Sequence, residues 1–160
     1  MQGKNEKTER YKSPVTAIFT GISDLFKRPD NQLSLNDLPS LDGKKVMITG
    51  ASSGLGLATA IELARRGAHV IMAVRSGIPA RGEEVRRKSG SDRVDMIPLD
   101  LSNLESLAGF TEEVKRRFGT LDIVVCNAAM VANKSRAVKQ ELDEMFVVNY
   151  FAKFLLAGRI

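Results

Sequence analysis

The chain has 160 residues, enough for one domain, and its 43% hydrophobic content is enough to build a core. Its formal net charge of +5 arises from basic residues interleaved with acidic ones, and neither aromatic interleaving nor a recognition motif supports nucleic-acid binding. The single cysteine excludes an internal disulfide, the single histidine argues against a zinc site, and no apolar run reaches the roughly 18 residues of a membrane span.

Residues 1–10 are polar, lack the apolar core of a secretory signal, and read as a disordered tail, so a cytoplasmic location is expected. Ser13 offers an N-cap and Pro14 a first helical residue. Val15, Ile18, Phe19, Ile22, Leu25 and Phe26 follow at helical spacing, which predicts an amphipathic helix over about 14–28. That helix packs on its own domain or a partner subunit, or else lies on a membrane surface. Residues 29–44 read as a linker with turns, dividing the chain into an extension over 1–42 and a folded portion over 43–160.

From Lys45 onward, strands and helices alternate. Residues 45–48 predict a short buried strand, and a helix carrying Leu57, Ile61, Leu63 and Ala64 closes at Arg65-Arg66-Gly67. Residues 68–74 predict a second strand, 79–88 a helix with a solvated charged face, and 94–99 a third strand. Ser102-Asn103-Leu104-Glu105 reads as a capping box, opening a helix whose apolar face carries Leu104, Leu107, Ala108, Val114 and Phe118. Residues 121–126 predict a fourth strand, with Cys126 expected as a buried thiol. A last helix is predicted over about 138–156, placing Leu142, Met145, Phe146 and Asn149 on one face. Alternation of this kind predicts an α/β fold with helices on both sides of a parallel sheet.

The stretch Thr49-Gly50-Ala51-Ser52-Ser53-Gly54-Leu55-Gly56 joins the first strand to its helix. A strand running through glycines into a helix aims backbone N–H groups and the positive helix end at one point, which attracts phosphate. Gly50 allows the tight turn, Gly54 lets a pyrophosphate approach the backbone, and Gly56 lets helix and strand pack closely. Ser52, Ser53 and Leu55 join them as candidate pyrophosphate contacts. The spacing is G-x-x-x-G-x-G, with no P-loop G-x-x-x-x-G-K-[ST].

The later strand ends add further stations. After the second strand, Arg75 stands where an NAD-selective site carries an acid. It suits the 2′-phosphate of NADP, so NADPH is expected over NADH, or it is a surface arginine at a strand end. After the third, Asp100-Leu101 places a carboxylate that either accepts from an adenine amino group or stabilises the following helix. After the fourth, Asn127-Ala128-Ala129 is either a strand-ending turn or a bed of small residues for the nicotinamide ribose, braced by Asn127.

Together these stations resemble the short-chain dehydrogenase/reductase family: T-G-x-x-x-G-x-G after the first strand, an aspartate after the third, and N-A-[AG] after the fourth. Asn149, in Phe146-Val147-Val148-Asn149-Tyr150-Phe151, matches the helix asparagine of that family's catalytic tetrad. The resemblance covers residues 43–160. Within the family, Val70-Ile71-Met72-Ala73-Val74-Arg75 and Val125-Cys126-Asn127-Ala128-Ala129 are similar to the retinol-dehydrogenase and protochlorophyllide-reductase branch, which generally uses NADP(H).

The resemblance implies a Rossmann-type doubly wound sheet of order 3-2-1-4 that stops after the fourth strand and its following helix. The fourth strand is then expected as an unpaired apolar edge. It further implies hydride transfer between NADP(H) and a carbonyl/alcohol or carbon–carbon double-bond substrate, with Asn149 in a proton relay. The family also requires a serine and a tyrosine followed four residues later by a lysine. No Tyr-x-x-x-Lys occurs here, and Tyr150-Phe151-Ala152-Lys153 is one residue short. The expectation is therefore the front portion of a longer reductase, inactive alone, acting in full length on a small-molecule substrate. The alternative is a non-catalytic NADP(H)-binding or regulatory half-domain. Either is compatible with an oligomer.

Overall fold

The computed structural model describes residues 39–131, 136–138 and 141–160. The amphipathic helix expected over 14–28 and the tail before it lie outside the described residues. The elements are β1 (Lys45–Thr49), α1 (Gly54–Arg65), β2 (His69–Val74), α2 (Ala80–Ser89), β3 (Val94–Pro98), α3 (Leu104–Phe118) and β4 (Ile123–Val125). The C-terminal helix comprises α4 (Glu144–Phe146), a π-helical turn (Val147–Phe151) and α5 (Ala152–Arg159). All strand pairs are parallel and the order is β3-β2-β1-β4, as the doubly wound reading expects.

Alternation along the strands divides the core in two. Met47, Ile71 and Ile97 pack with Leu107, Phe110, Val114 and Phe118 of α3 and with Ala152 and Leu156 of α5. Val46, Ile48, Val70 and Met72 pack on the opposite face with Ala60 and Ala64 of α1 and Val85 of α2. Both faces of the sheet are thus covered, as βαβ crossovers require. The α1 stripe in closest contact is small: Gly56, Ala60 and Ala64 are buried, whereas the larger Leu57, Ile61 and Leu63 flank them only partly buried. Small residues let the helix axis approach the sheet and bring its first turn down onto the strand ends.

Three local expectations need correction. First, Asn103 rather than Ser102 caps α3, its Oδ1 accepting from the Glu105 and Ser106 amides at 3.0 and 3.3 Å; Ser102 is held instead by Asp100.

Second, the last helix begins at Glu144, not near Val138, because the Asp143 carboxylate accepts from the Met145 and Phe146 amides at 3.0 and 3.1 Å. Aspartate is a strong N-cap and a weak helix-interior residue, so it starts the helix where the apolar pattern alone would continue it. A π-helical turn follows at Val147–Phe151; Val147, Ala152 and Leu156 are buried, whereas Leu142, Met145 and Phe146, all ahead of that turn, are exposed.

Third, Cys126 is exposed. It follows an edge strand whose Ile123 and Val124 each retain 38% of their surface, consistent with the expected apolar edge.

Tertiary clamps hold this short β4. At its start, the Asp122 carboxylate accepts from Lys44 Nζ at 2.8 Å and from the Lys45 amide at 2.9 Å. The Lys44 hydrogen bond, then that of the Lys45 amide, holds the Asp122 carboxyl below its ordinary range. The clamp is therefore present at neutral pH and lost as pH falls through the lowered value. At the other end of β4, Asn127 Nδ2 donates to the Thr49 and Gly50 carbonyls at 3.1 and 3.3 Å.

The α1 helix closes this junction. A β-carbon at Gly56 would lie 2.3 Å from the Gly50 carbonyl oxygen and 2.5 Å from Asn127 Nδ2. Replacing Gly56 by alanine must push apart the α1 turn, the β1 turn and the β4 turn together, and is expected to cost about 1–3 kcal/mol or more. Gly109, in α3, has nothing within 4 Å of its would-be β-carbon. Gly109→Ala should instead stabilise by about 0.5–1 kcal/mol through helix propensity. Denaturant melts of the two variants check both signs; equal effects would contradict the close-packed junction.

Candidate functional site

A cavity of about 420 Å³ opens at the C-terminal ends of the strands. It lies where the chain order reverses between β1–β2 and β1–β4, the switch point at which open parallel sheets bind ligands. Residues from the ends of all the strands line it: Thr49 to Ser53 without Ala51, then Arg75 and Ser76, Asp100 and Leu101, and 127–130.

The wall from β1 into α1 is the expected glycine turn. Gly50 takes φ +69°, and a β-carbon there would lie 2.9 Å from Ala128 Cα, so the turn conformation and the close approach both require glycine. Ser53 occupies the N-cap position of α1, yet its side chain makes no capping bond, and no acidic residue stands in the first turn. Helix α3 differs, with Asn103 as cap and Glu105 in its first turn. Among the described residues, no side chain therefore caps the first-turn N–H groups of α1 or opposes its positive dipole end, while Ser53, Leu55 and Gly56 line the cavity beside them.

The opposite wall is held by a reciprocal clasp. Thr49, fully buried, accepts from the Ala128 amide at its Oγ1 at 3.0 Å, while the Asn127 amide group reaches back to the Thr49 and Gly50 carbonyls. Ala128 and Ala129 thereby present small side chains and backbone to the cavity. Asp100 Oδ1 accepts from the Ser102 amide at 2.9 Å and the Ser102 hydroxyl at 2.7 Å, leaving Oδ2 without a partner among the described residues. Arg75 and Ser76 form the corner after β2, and Arg75 makes no ion pair among the described residues.

The structure brings together on this cavity Gly50, Ser52, Ser53, Leu55, Gly56, Arg75, Asp100, Leu101, Asn127, Ala128 and Ala129. Gly54 is exposed at the tip of the turn (φ +53°) with open space at its would-be β-carbon, and it does not line the cavity. Asn149 does not line it either. Its Nδ2 donates to the Met130 carbonyl at 2.8 Å and its Oδ1 accepts from the Met130 amide at 2.9 Å, so it fixes the loop that follows the alanines. It sits within the π-helical turn. Tyr150, beside it, is 63% exposed.

The sequence reading did not single out Thr49, Ala73, Ser76, Leu99, Met130 or Val148 as lining residues. Most directly flank the stations already read. Val148 carried no signal, since its place depends on the π-helical turn. Among the described residues, no cluster of three or more histidine, cysteine, aspartate or glutamate side chains could hold a metal ion, and no helix is long and apolar enough to cross a membrane.

Comparison with known proteins agrees with this geometry. The family model described as short chain dehydrogenase matches residues 44–160. Mouse retinol dehydrogenase 13 is 35% identical over 154 residues, covering 93% of this chain and 46% of that protein. Protochlorophyllide reductase A of Arabidopsis thaliana is 38% identical over 128 residues, covering 74% of this chain and 32% of that protein. The crystal structure of L-sorbose reductase from Gluconobacter frateurii, complexed with NADPH and L-sorbose, superposes with a TM-score of 0.65 at 30% identity, covering 74% of this chain and 46% of that one. The chain thus spans about half or less of the length of these relatives. A parallel 3-2-1-4 sheet, a glycine turn at its switch point and the family match together place this chain in the short-chain dehydrogenase/reductase family of oxidoreductases.

Proposed function

We propose that this chain binds NADP(H) and forms the cofactor-binding part of a reductase or dehydrogenase acting on a carbonyl/alcohol, or a carbon–carbon double bond. The observation that carries this reading is the first turn of α1, which no side chain among the described residues caps and which borders a cavity with an arginine at its far corner. A pyrophosphate satisfies those amides, and a 2′-phosphate satisfies the arginine. The solved L-sorbose reductase named above was crystallised with NADPH, which supports the same choice.

When bound, the cofactor supplies or accepts a hydride. In this reading Gly50, Ser52, Ser53, Leu55 and Gly56 hold the pyrophosphate, with Gly54 keeping the tip of the turn clear of side-chain atoms. Arg75 holds the 2′-phosphate. Asp100, oriented by Ser102, accepts from the adenine amino group, and Leu101 packs beside it. Ala128 and Ala129 bed the nicotinamide ribose, positioned by Asn127 and Thr49. Asn149 is a positioning residue for the Met130 loop here and joins the proton relay only in a complete active site. The sequence has two tyrosines, Tyr11 and Tyr150, and neither has a lysine four residues on. General acid–base chemistry at the substrate oxygen would thus require groups this chain does not supply.

The exposed apolar edge at Ile123 and Val124 favours a second reading, in which the chain is a non-catalytic NADP(H)-binding module that pairs with another polypeptide along β4. A cytoplasmic setting and a small-molecule substrate for the whole protein belong to the first reading.

Arg75→Ala should weaken NADPH binding by about 10- to 100-fold, the worth of charged hydrogen bonds of roughly 1.5–3 kcal/mol, and leave NADH binding nearly unchanged. Isothermal titration with both cofactors checks this; equal losses would contradict the 2′-phosphate role. Purified chain with NADPH and aldehyde or ketone substrates should show binding without turnover. Measurable NADPH oxidation above the buffer rate would overturn the assignment of missing acid–base groups.

A further inference from the structure

Where α2 lies on β3, a backbone amide sits directly on a sulfur. The Gly82 N–H donates to Met96 Sδ at 3.0 Å and also to the Pro79 carbonyl at 2.9 Å. A β-carbon at Gly82 would fall 2.7 Å from Met96 Sδ and 3.0 Å from its Cγ, so helix and strand meet there with no space for another atom. Gly82 and Val85 are the buried residues of α2, whose sequence is otherwise mostly charged. Arg86 adds a bond from its guanidinium to the Val94 carbonyl. The Gly82–Met96 contact is therefore a large part of what seats α2 on the sheet.

The described methionines differ in reach and in consequence. Met47 and Met72 are fully buried, and Met145 is 41% exposed. Met96 is half-buried on β3, an outer strand of the sheet, so a small oxidant can reach its sulfur while the helix lies over it. Oxidation converts a flexible apolar thioether into a polar, chiral sulfoxide, which disrupts close apolar contacts. At Met145 the added oxygen meets solvent. At Met96 it meets the Gly82 backbone.

We propose that Met96 is a peroxide-sensitive latch that holds α2 on β3. A sulfur lone pair attacks one peroxide oxygen and the O–O bond breaks. Sulfur is oxidised by two electrons to the sulfoxide, and the peroxide is reduced and leaves as water or an alcohol. The new oxygen has no room beneath Gly82, and turning it away takes the sulfur off the Gly82 amide; either way the contact opens. The effect reaches the cavity through the backbone. Gly82 is tied to the Pro79 carbonyl and the Arg81 amide to the Gly77 carbonyl at 2.9 Å, in the turn whose Ser76 lines the cavity beside Arg75. Loosening α2 therefore loosens that corner. A thiol-dependent sulfoxide reductase closes the latch again: the oxygen leaves as water while two thiols join as a disulfide. None of this depends on which nucleotide the cavity binds.

The test treats the full chain with hydrogen peroxide, maps each methionine sulfoxide by peptide mass, and follows the melting temperature and amide hydrogen exchange. Met96 should convert in the folded chain while Met47 and Met72 stay unmodified. Its conversion should lower the melting temperature by roughly 3–9 °C and speed exchange about tenfold across residues 76–88, with α3 unchanged. Both losses should follow the Met96 sulfoxide rather than that of Met145, and methionine sulfoxide reductase with dithiothreitol should restore both. Met96→Leu keeps the volume without an oxidisable sulfur and should show neither loss. Cys126, Met130 and Met145 remain in parent and variant alike, so their oxidation cancels in the comparison. The proposal fails if Met96 stays unmodified until the chain unfolds, or if its sulfoxide forms with no change in exchange over 76–88. It fails equally if Met96→Leu responds to peroxide as the parent does. The parent's own time course decides the matter even where Met96→Leu folds poorly.

Discussion

Behind the cavity, three backbone turns meet with no room for one additional carbon. The Gly50 carbonyl, the Asn127 side-chain amide and the first turn of α1 converge on Gly56, whose would-be β-carbon falls within 2.5 Å of both neighbours. Everything functional in the described part of the chain hangs from this contact. It sets how closely α1 approaches the sheet, and hence where its first-turn amides point. It also ties the β1 turn to the β4 turn, which is how a strand of only three residues (Ile123–Val125) can position a cavity wall. The small stripe of Gly56, Ala60 and Ala64 continues the same constraint along the helix.

The chemistry follows from what the junction leaves unsatisfied. Most polar groups near the cavity are spoken for within the chain: Thr49 by Ala128, Asn127 by the β1 turn, Asn149 by Met130 and one oxygen of Asp100 by Ser102. Those bonds rigidify walls rather than bind ligand. Among the described residues, the groups without a partner include the first-turn amides of α1, the second oxygen of Asp100 and the Arg75 guanidinium, on different walls of the cavity. Such a division into clamped and unclamped polar groups is what a preorganised nucleotide site requires, because ligand binding then spends little on ordering the protein.

Much of this was legible in the sequence because it depends on local chemistry. Glycine spacing between a strand and a helix, small residues after β4 and an arginine in place of an acid after β2 each have a physical meaning that survives without coordinates. The strand alternation likewise suffices for a parallel sheet, and the family resemblance supplied its order. What escaped depends on interactions between distant residues or between competing local ones. The cap at Asn103 won over Ser102 because Asp100 captured the serine. The start of the last helix was misplaced because Asp143 caps it from within an otherwise continuous pattern. The π-helical turn at Val147–Phe151 interrupts the α-helical period, which no 3.6-residue periodicity can report. The exposure of Cys126 follows from the edge position of β4, a property of topology rather than of an apolar run.

The central claim is that the α1 first turn, the Arg75 corner and the small residues after β4 bind one molecule of NADP(H) together. Backbone amide shifts of the ¹⁵N-labelled chain titrated with NADPH test it most directly. The account predicts that the largest shifts cluster at residues 50–56, at Arg75 and Ser76, at Asp100 and Leu101, and at 127–130, all saturating along one binding curve. Shifts confined to surface lysines and arginines elsewhere, or separate saturation of the α1 and Arg75 regions, would contradict it.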